Sequence, residues 1–240
     1  MSPLLVEHVG DTLSLTLNRP DKMNALSATL VDALLAAVEP AEAQGVRLLV
    51  LRGNGRNFSA GFDFGDVQTQ SEADLLLRFT RIEQLLQVLH HAPYETVALA
   101  QGRNFGAGVD LIGACSVRIA TADASFRMPG LRFGVVLGSR RFAAQVGAET
   151  ARAILTEART FGTDEALRIG FIHRVAGQAE WPSAIAAVEA NAAALSADTA
   201  ARLRRALRAD TRDADLAELV RSVAQPGIHG RIAAYLATPK

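Results

Sequence analysis

The sequence predicts an α/β fold: stacked strand–strand–helix units through the first three quarters, then a C-terminal helical region. Three observations carry this. Apolar patterns of strand length and helix length alternate from Leu4 to Val175. The run Val46-Arg47-Leu48-Leu49-Val50-Leu51 is almost continuously apolar, which suits a strand covered on both faces of a largely parallel sheet. After Pro182 only helical spacing remains, in segments rich in Ala, Leu and Arg. The chain therefore divides into a core over residues 1–180 and a helical region over 181–240. The recurring units suggest an internal structural repeat with little sequence self-similarity.

Leu13, Leu15 and Leu17 alternate with Ser14 and Thr16, so Leu4–Val9 and this segment form a hairpin around Gly10-Asp11. Asn18 to Lys22 is a loop. Ser27 can cap a helix that carries Leu30, Val31, Leu34, Leu35 and Val38 on one side, closed by Pro40 and Gly45. The apolar strand follows, then a glycine-punctuated loop from Gly53 to Gly65. Glu72 to His91 is the strongest helix, with Leu75, Phe79, Ile82, Leu86 and Leu89 at helical spacing and Pro93 beyond its end. His90 and His91 fall where a cation suits the helix dipole. Thr96–Ala100 reads as a buried strand, Gly102–Gly108 as a turn and Val109–Ala114 as a short helix. Ser116–Ala120 and Ser125–Met128 read as strands, Gln145–Leu155 and Thr163–Ile169 as helices, and Phe171–Val175 as the last strand. Ser183–Leu195, Asp198–Arg208 and Asp213–Val223 complete the helical region.

Composition removes several function classes. The 240 residues are 49% hydrophobic and 21% charged, a globular composition able to bury one substantial core. Cys115 is the only cysteine, so neither an intramolecular disulfide nor a four-cysteine zinc site can form. His8, His173 and His229 are scattered, His90 and His91 read as helix-end residues, no metal spacing appears, and no metal is expected. Lys+Arg and Asp+Glu both number 25, which argues against general nucleic-acid binding. No apolar run approaches a membrane span, and Met1–Gly10 lacks a basic leader, so no membrane association and a cytoplasmic location are expected. The arginines at 202, 204, 205, 208 and 212 read as a solvated helix face.

Two loops follow buried strands and lead into helices: Asn57–Asp63 and Gly102–Asp110. Small residues let main-chain N–H groups approach a ligand, and a helix N-terminus adds unpaired donors. Converging, the two loops could form an oxyanion hole from two backbone amides, or they could be two tight turns without a ligand. Other motifs fail. Leu111 stands where a dinucleotide fingerprint needs its third glycine, and no Gly-Lys-Ser/Thr occurs. Ser59 lacks the flanking glycine of a nucleophile elbow, and no Ser-His-Asp set can be picked out for a serine hydrolase. Asp63 reads as a loop hydrogen-bond partner.

Several segments in order resemble the crotonase superfamily, the enoyl-CoA hydratase/isomerase family. They are Leu17-Asn18-Arg19-Pro20 with Asn24-Ala25-Leu26, Phe58-Ser59-Ala60-Gly61-Phe62-Asp63, Gln101-Gly102 through Gly106-Ala107-Gly108-Val109-Asp110-Leu111, Arg118-Ile119-Ala120, and Glu165 through Ile172. The resemblance covers nearly the whole chain. It implies a crotonase-type (ClpP/crotonase) spiral of strand–strand–helix repeats whose helical C-terminal region serves assembly into a homotrimer or a dimer of trimers. It implies an acyl-CoA substrate, with coenzyme A as part of that substrate and no prosthetic group. The amides of Phe62 and Ala107 would hold the thioester oxygen, and Asp110 would be a catalytic acid/base. Lys22, Asn24, Ala25 and Ala60 would join Phe62 and Ala107 in binding coenzyme A. The family's second carboxylate would follow Pro129, where Gly130 stands. An ordinary two-carboxylate hydration is therefore not expected. A one-carboxylate isomerase or decarboxylase and a catalytically silent acyl-CoA-binding paralogue are the alternatives. Arg127, Arg132, Arg140 and Arg141 would either line the altered pocket or lie on the surface. Apolar positions including Leu203, Leu207, Leu216 and Leu219 would supply part of a subunit interface.

Overall fold

The computed structural model describes residues 2–238. Strands β1 (Leu4–Val9) and β2 (Thr12–Leu17) form the expected antiparallel hairpin. Strands β3 (Leu48–Gly53), β4 (Glu95–Ala100), β6 (Val117–Ala120) and β9 (Arg174–Val175) extend the hairpin in parallel, in the order β1-β2-β3-β4-β6-β9. Parallel strands need crossovers, and helices α1 (Ala28–Val38) and α2 (Glu72–His90) provide the first two. Ser27 caps α1 through the Leu30 amide. Ser71 and Asp74 cap α2 reciprocally.

A second sheet contains three short strands: β5 (Arg103–Phe105), β7 (Ser125–Arg127) and β8 (Thr160–Gly162). The chain steps from β4 to β5 and from β6 to β7, leaving the large sheet for the small one each time. This step is the repeating unit. Helix α3 (Ala107–Ala114) follows β5 and is buried along its whole length. Helices α4 (Ser139–Val146) and α5 (Ala148–Glu157) meet at Gly147, whose φ of +83° breaks the single helix expected over Gln145–Leu155. The short α6 (Thr163–Arg168) leads to β9. That strand is only two residues long, because Phe171 and Ile172 pack into the core before pairing begins.

Helices α7 (Trp181–Ala193), α8 (Ala197–Leu207), α9 (Arg212–Val223) and α10 (Ile228–Ala237) form the C-terminal region. They are not a separate layer. Leu219, Val223, Ile228 and Ile232 belong to the main hydrophobic core, and Trp181 and Ala184 cover the other face of the large sheet. Leu219 is thus consumed within the chain, while Leu203 and Leu207 remain 50% and 76% exposed. The basic face of α8 is only partly solvated: Arg204 pairs with Glu95, and Arg208 donates to the His90 carbonyl. His90 is not the cation its helix-end position suggested. Burial, with Arg208 close by, pushes it down to about 3. No helix among the described residues is long and apolar enough to cross a membrane.

Candidate active site

The two glycine-bearing loops meet. Gln101, at the end of β4, donates to the carbonyls of Gly53 and Gly55 at 2.7 and 3.1 Å, and its own carbonyl accepts from the Phe58 amide at 3.0 Å. The Phe105 amide donates to the Ser59 carbonyl at 3.1 Å. Gly61 has φ of +77°, and a Cβ there would overlap the Phe105 carbonyl oxygen and stand 3.0 Å from the Ala107 nitrogen. A Cβ on Gly108 would come within 2.5 Å of the Ser59 carbonyl oxygen. Glycine is required at both points because backbone touches backbone. Ser59 itself is buried, donating to the Asn24 carbonyl and accepting from the Gly61 amide. It braces the loop and is not presented as a nucleophile.

This contact leaves two donors free. Among the described residues, the amides of Phe62 and Ala107 donate to no protein group. Ala107 opens α3, so its N–H is one of the orphans every helix N-terminus carries. Both residues line one cavity of about 580 Å³. Phe62, Phe64, Phe79, Phe133 and Val135 make one wall apolar, and Phe62 stacks on Phe79 with centroids 4.2 Å apart. Arg103, Ser125, Arg127 and Thr160, from β5, β7 and β8, also line it. Leu236 and Tyr235, from α10, close one end. A larger hollow of about 700 Å³ lies between α8 and the Arg47–Tyr94 edge, but neither loop borders it.

Ala25 and Ala60 line the cavity with Phe62 and Ala107. Lys22 is exposed on the turn before it, outside the lining. Asn24 is fully buried: its side chain accepts from the Arg19 amide and donates to the carbonyls of Asn54 and Asn57, so it ties two loops together. Asp63 accepts from Gly65 and pairs with Arg19 at 2.7 Å. Burial works to raise its carboxyl, but the Gly65 amide and the Arg19 and Arg78 guanidiniums hold it below the ordinary range.

Asp110 is one helical turn beyond Ala107 and does not line the cavity. It faces a separate, water-sized void with Gly138, Arg141 and Gln145. Leu137 lines the cavity and the adjacent Gly138 touches the Asp110 carboxyl, so this segment stands between the two. Asp110 Oδ1 has no hydrogen-bond partner among the described residues. Burial pushes this carboxyl well above the ordinary range, against the pull of Arg141 and with a further push from Glu83. Among the described residues, no Asp or Glu lines the cavity.

Of the four arginines singled out in the sequence, only Arg127 lines the cavity. Arg140 pairs with Asp215 on the surface and Arg132 donates to the Glu157 carbonyl. Arg141 is buried, in a two-point pair with Glu83. The sequence reading missed Tyr235. The spacing Ile228, Ile232, Tyr235 is helical and could have revealed α10.

The chain matches the sequence profile of the enoyl-CoA hydratase/isomerase family over residues 10–224. It is 32% identical over 181 residues to a probable enoyl-CoA hydratase of Mycobacterium tuberculosis, spanning 72% of each chain. A crystal structure of a candidate enoyl-CoA hydratase/isomerase from Bordetella parapertussis superposes with a TM-score of 0.98, at 56% identity over 100% of both chains. A Thermobifida fusca relative, solved in complex with acetoacetyl-CoA, superposes with a TM-score of 0.78 at 26% identity, covering 97% of this chain and 96% of that one. By sequence profile, sequence identity and fold, the chain belongs to the enoyl-CoA hydratase/isomerase family of the crotonase superfamily.

Proposed function

We propose that the protein processes acyl-CoA thioesters, holding the thioester oxygen between the amides of Phe62 and Ala107. The observation that carries this is the pair of unpartnered amides, from two loops in contact, facing one cavity. Two such donors polarise the carbonyl, acidify the neighbouring carbon and stabilise the enolate oxyanion. One donor of this kind contributes about 3–4 kcal/mol to the transition state. The acetoacetyl-CoA bound by the Thermobifida relative supports the ligand class. Ala107 keeps the N–H that glycine would offer, while its methyl group narrows the approach.

In this reading Ala25 and Ala60 border the thioester arm, with Lys22 and Asn24 on the same loop. Asp110 is the proton-exchanging group, reached when the Leu137–Gly138 segment moves aside. Double-bond isomerisation or decarboxylation needs one such group, where hydration needs two. The lack of an Asp or Glu side chain among the described residues lining the cavity also favours a second reading, a silent acyl-CoA-binding paralogue. Leu203 and Leu207, exposed on α8, would be covered in a trimer or a dimer of trimers.

Calorimetry with a series of acyl-CoA esters, followed by turnover assays on those that bind, tests the proposal. Binding of the esters with much weaker binding of the free acids is expected. No heat with any ester would overturn the reading. Binding without turnover would select the silent paralogue.

A further inference from the structure

Among the described residues, no carboxylate in the cavity lining answers the charge that its polar residues carry. In the small sheet Arg103 pairs with Ser125 and Ser125 with Gly162, while Phe105 pairs with Arg127 and Arg127 with Thr160. Side chains alternate across a sheet, so Asn104, Phe126 and Phe161 point into the core, where they are buried. The other face carries Arg103, Ser125, Arg127 and Thr160, and all four line the cavity. Two arginines and two hydroxyls thus share the cavity with its apolar lining, and among the described residues no Asp or Glu side chain lines it.

Of the two arginines, Arg127 is the one tied directly to the loop that carries the Ala107 amide. The Gly106 amide donates to the Arg127 carbonyl at 2.8 Å, so Arg127 lies beside the residue preceding Ala107. Adjacent strands are about 4.8 Å apart, which puts Arg127 within side-chain reach of an acyl group held at the Ala107 amide. Its Nε donates to the Ala158 carbonyl at 2.7 Å, which fixes the guanidinium plane. Its two terminal nitrogens donate to no group among the described residues, and it takes part in no ion pair there. The phenol of Tyr235, opposite, feels its charge. A half-buried guanidinium without a counter-charge is unfavourable until a ligand supplies one. Its paired donors match a carboxylate in geometry. The coenzyme's phosphates lie a whole pantetheine arm away from the thioester, too far to be that anion.

Granting the acyl-CoA reading, we infer that Arg127 makes the site selective for acyl-CoA thioesters that carry a carboxylate on the acyl group. The aliphatic part of such a group lies on the phenylalanine wall, and its carboxylate takes the Nη1 and Nη2 donors.

The test compares dissociation constants for butyryl-CoA, succinyl-CoA, glutaryl-CoA and free coenzyme A, on the wild type and on Arg127→Met and Arg127→Lys. In the wild type the better of the two carboxylated esters should bind about tenfold or more tighter than butyryl-CoA. Arg127→Met should abolish that preference while leaving butyryl-CoA and free coenzyme A unchanged. Arg127→Lys, which keeps the charge and loses the fork, should retain part of it. The wild-type comparison stands even if a variant fails to fold. Equal wild-type binding of charged and uncharged esters would overturn the inference and leave the acyl-CoA reading intact. So would an Arg127→Met variant that weakens free coenzyme A as much as the esters, since the anion would then be a phosphate. Failure of every ester and of coenzyme A to bind would instead remove the acyl-CoA reading itself.

Discussion

Arg141 and Glu83 form the most deeply buried ion pair, with side chains 5% and 1% exposed. Replacing Arg141 by Met removes one charge and strands another. Arg141 holds Glu83 through both terminal nitrogens, at 2.8 and 2.5 Å, and reaches Asp215 at 3.4 Å. Leaving a buried partner uncompensated costs about 3–5 kcal/mol. Typical total stability is about 5–15 kcal/mol, so Arg141→Met should remove a large part of it. Glu83→Leu should cost less. Arg141 would keep Asp215 as a counter-charge. The double variant should recover part of the Arg141→Met loss, since replacing both partners by apolar groups can be nearly neutral. Urea unfolding followed by far-ultraviolet circular dichroism at pH 7 reads all three. A loss below about 1 kcal/mol for Arg141→Met, or a larger loss for Glu83→Leu, would refute this account of the pair.

Gly61→Ala should fold with a lowered melting temperature and weakened acyl-CoA binding, because its Cβ overlaps the Phe105 carbonyl and spreads the two amides; unchanged calorimetry would contradict the loop contact. His90 is neutral in the fold down to about 3 and titrates near 6.5 when unfolded, so its contribution is complete above pH 6.5 and is lost as pH falls from 6.5 towards 3. His173, pushed down to about 4 by burial and Arg118, acts in the same direction. Melting temperature should therefore fall between pH 7 and 5, and His90→Gln should flatten that slope. Light scattering should find a trimer or hexamer at micromolar concentration, and Leu207→Glu should shift it towards monomer; wild-type monomer alone would refute the interface.

Elements with a full period of apolar residues were legible. The hairpin shows three alternating leucines and α2 shows buried residues at helical spacing from Leu75 to Leu89, so their boundaries fall close to the observed ones. Strands β5 and β8 were not legible. Each has three residues and only one buried side chain, Asn104 or Phe161, and one alternation is no pattern. Of the site, the two amide loops could be read, because glycine spacing reports close backbone approach. The buried state of Arg141 could not, because Glu83 lies 58 residues earlier and Asp215 later still. The same holds for His90, whose helix-end position predicts a cation while Arg208 and burial enforce the neutral ring.

Asp110 is where sequence and structure bear hardest on each other. Its resemblance-implied role needs contact with substrate, yet Leu137 and Gly138 lie between its carboxyl and the cavity. Its burial is costly: an unpartnered buried acceptor carries a penalty of about 1–3 kcal/mol. Gly138 must be a glycine at φ +64° to accommodate it. Burial pushes this carboxyl well above the ordinary range, the direction in which a general acid is tuned. Asp110→Asn is matched in size to the protonated acid, so it should fold, melt close to the wild type and bind acyl-CoA unchanged, since the Phe62 and Ala107 amides are untouched. It cannot give or take the proton, so turnover on the best wild-type substrate should fall about 100-fold or more. A pH–rate profile should show an elevated carboxyl limb in the wild type, absent from the residual activity of the variant. Turnover within a few-fold of wild type would place Asp110 in the structural framework of α3 and move the proton exchange to water admitted beside Tyr235.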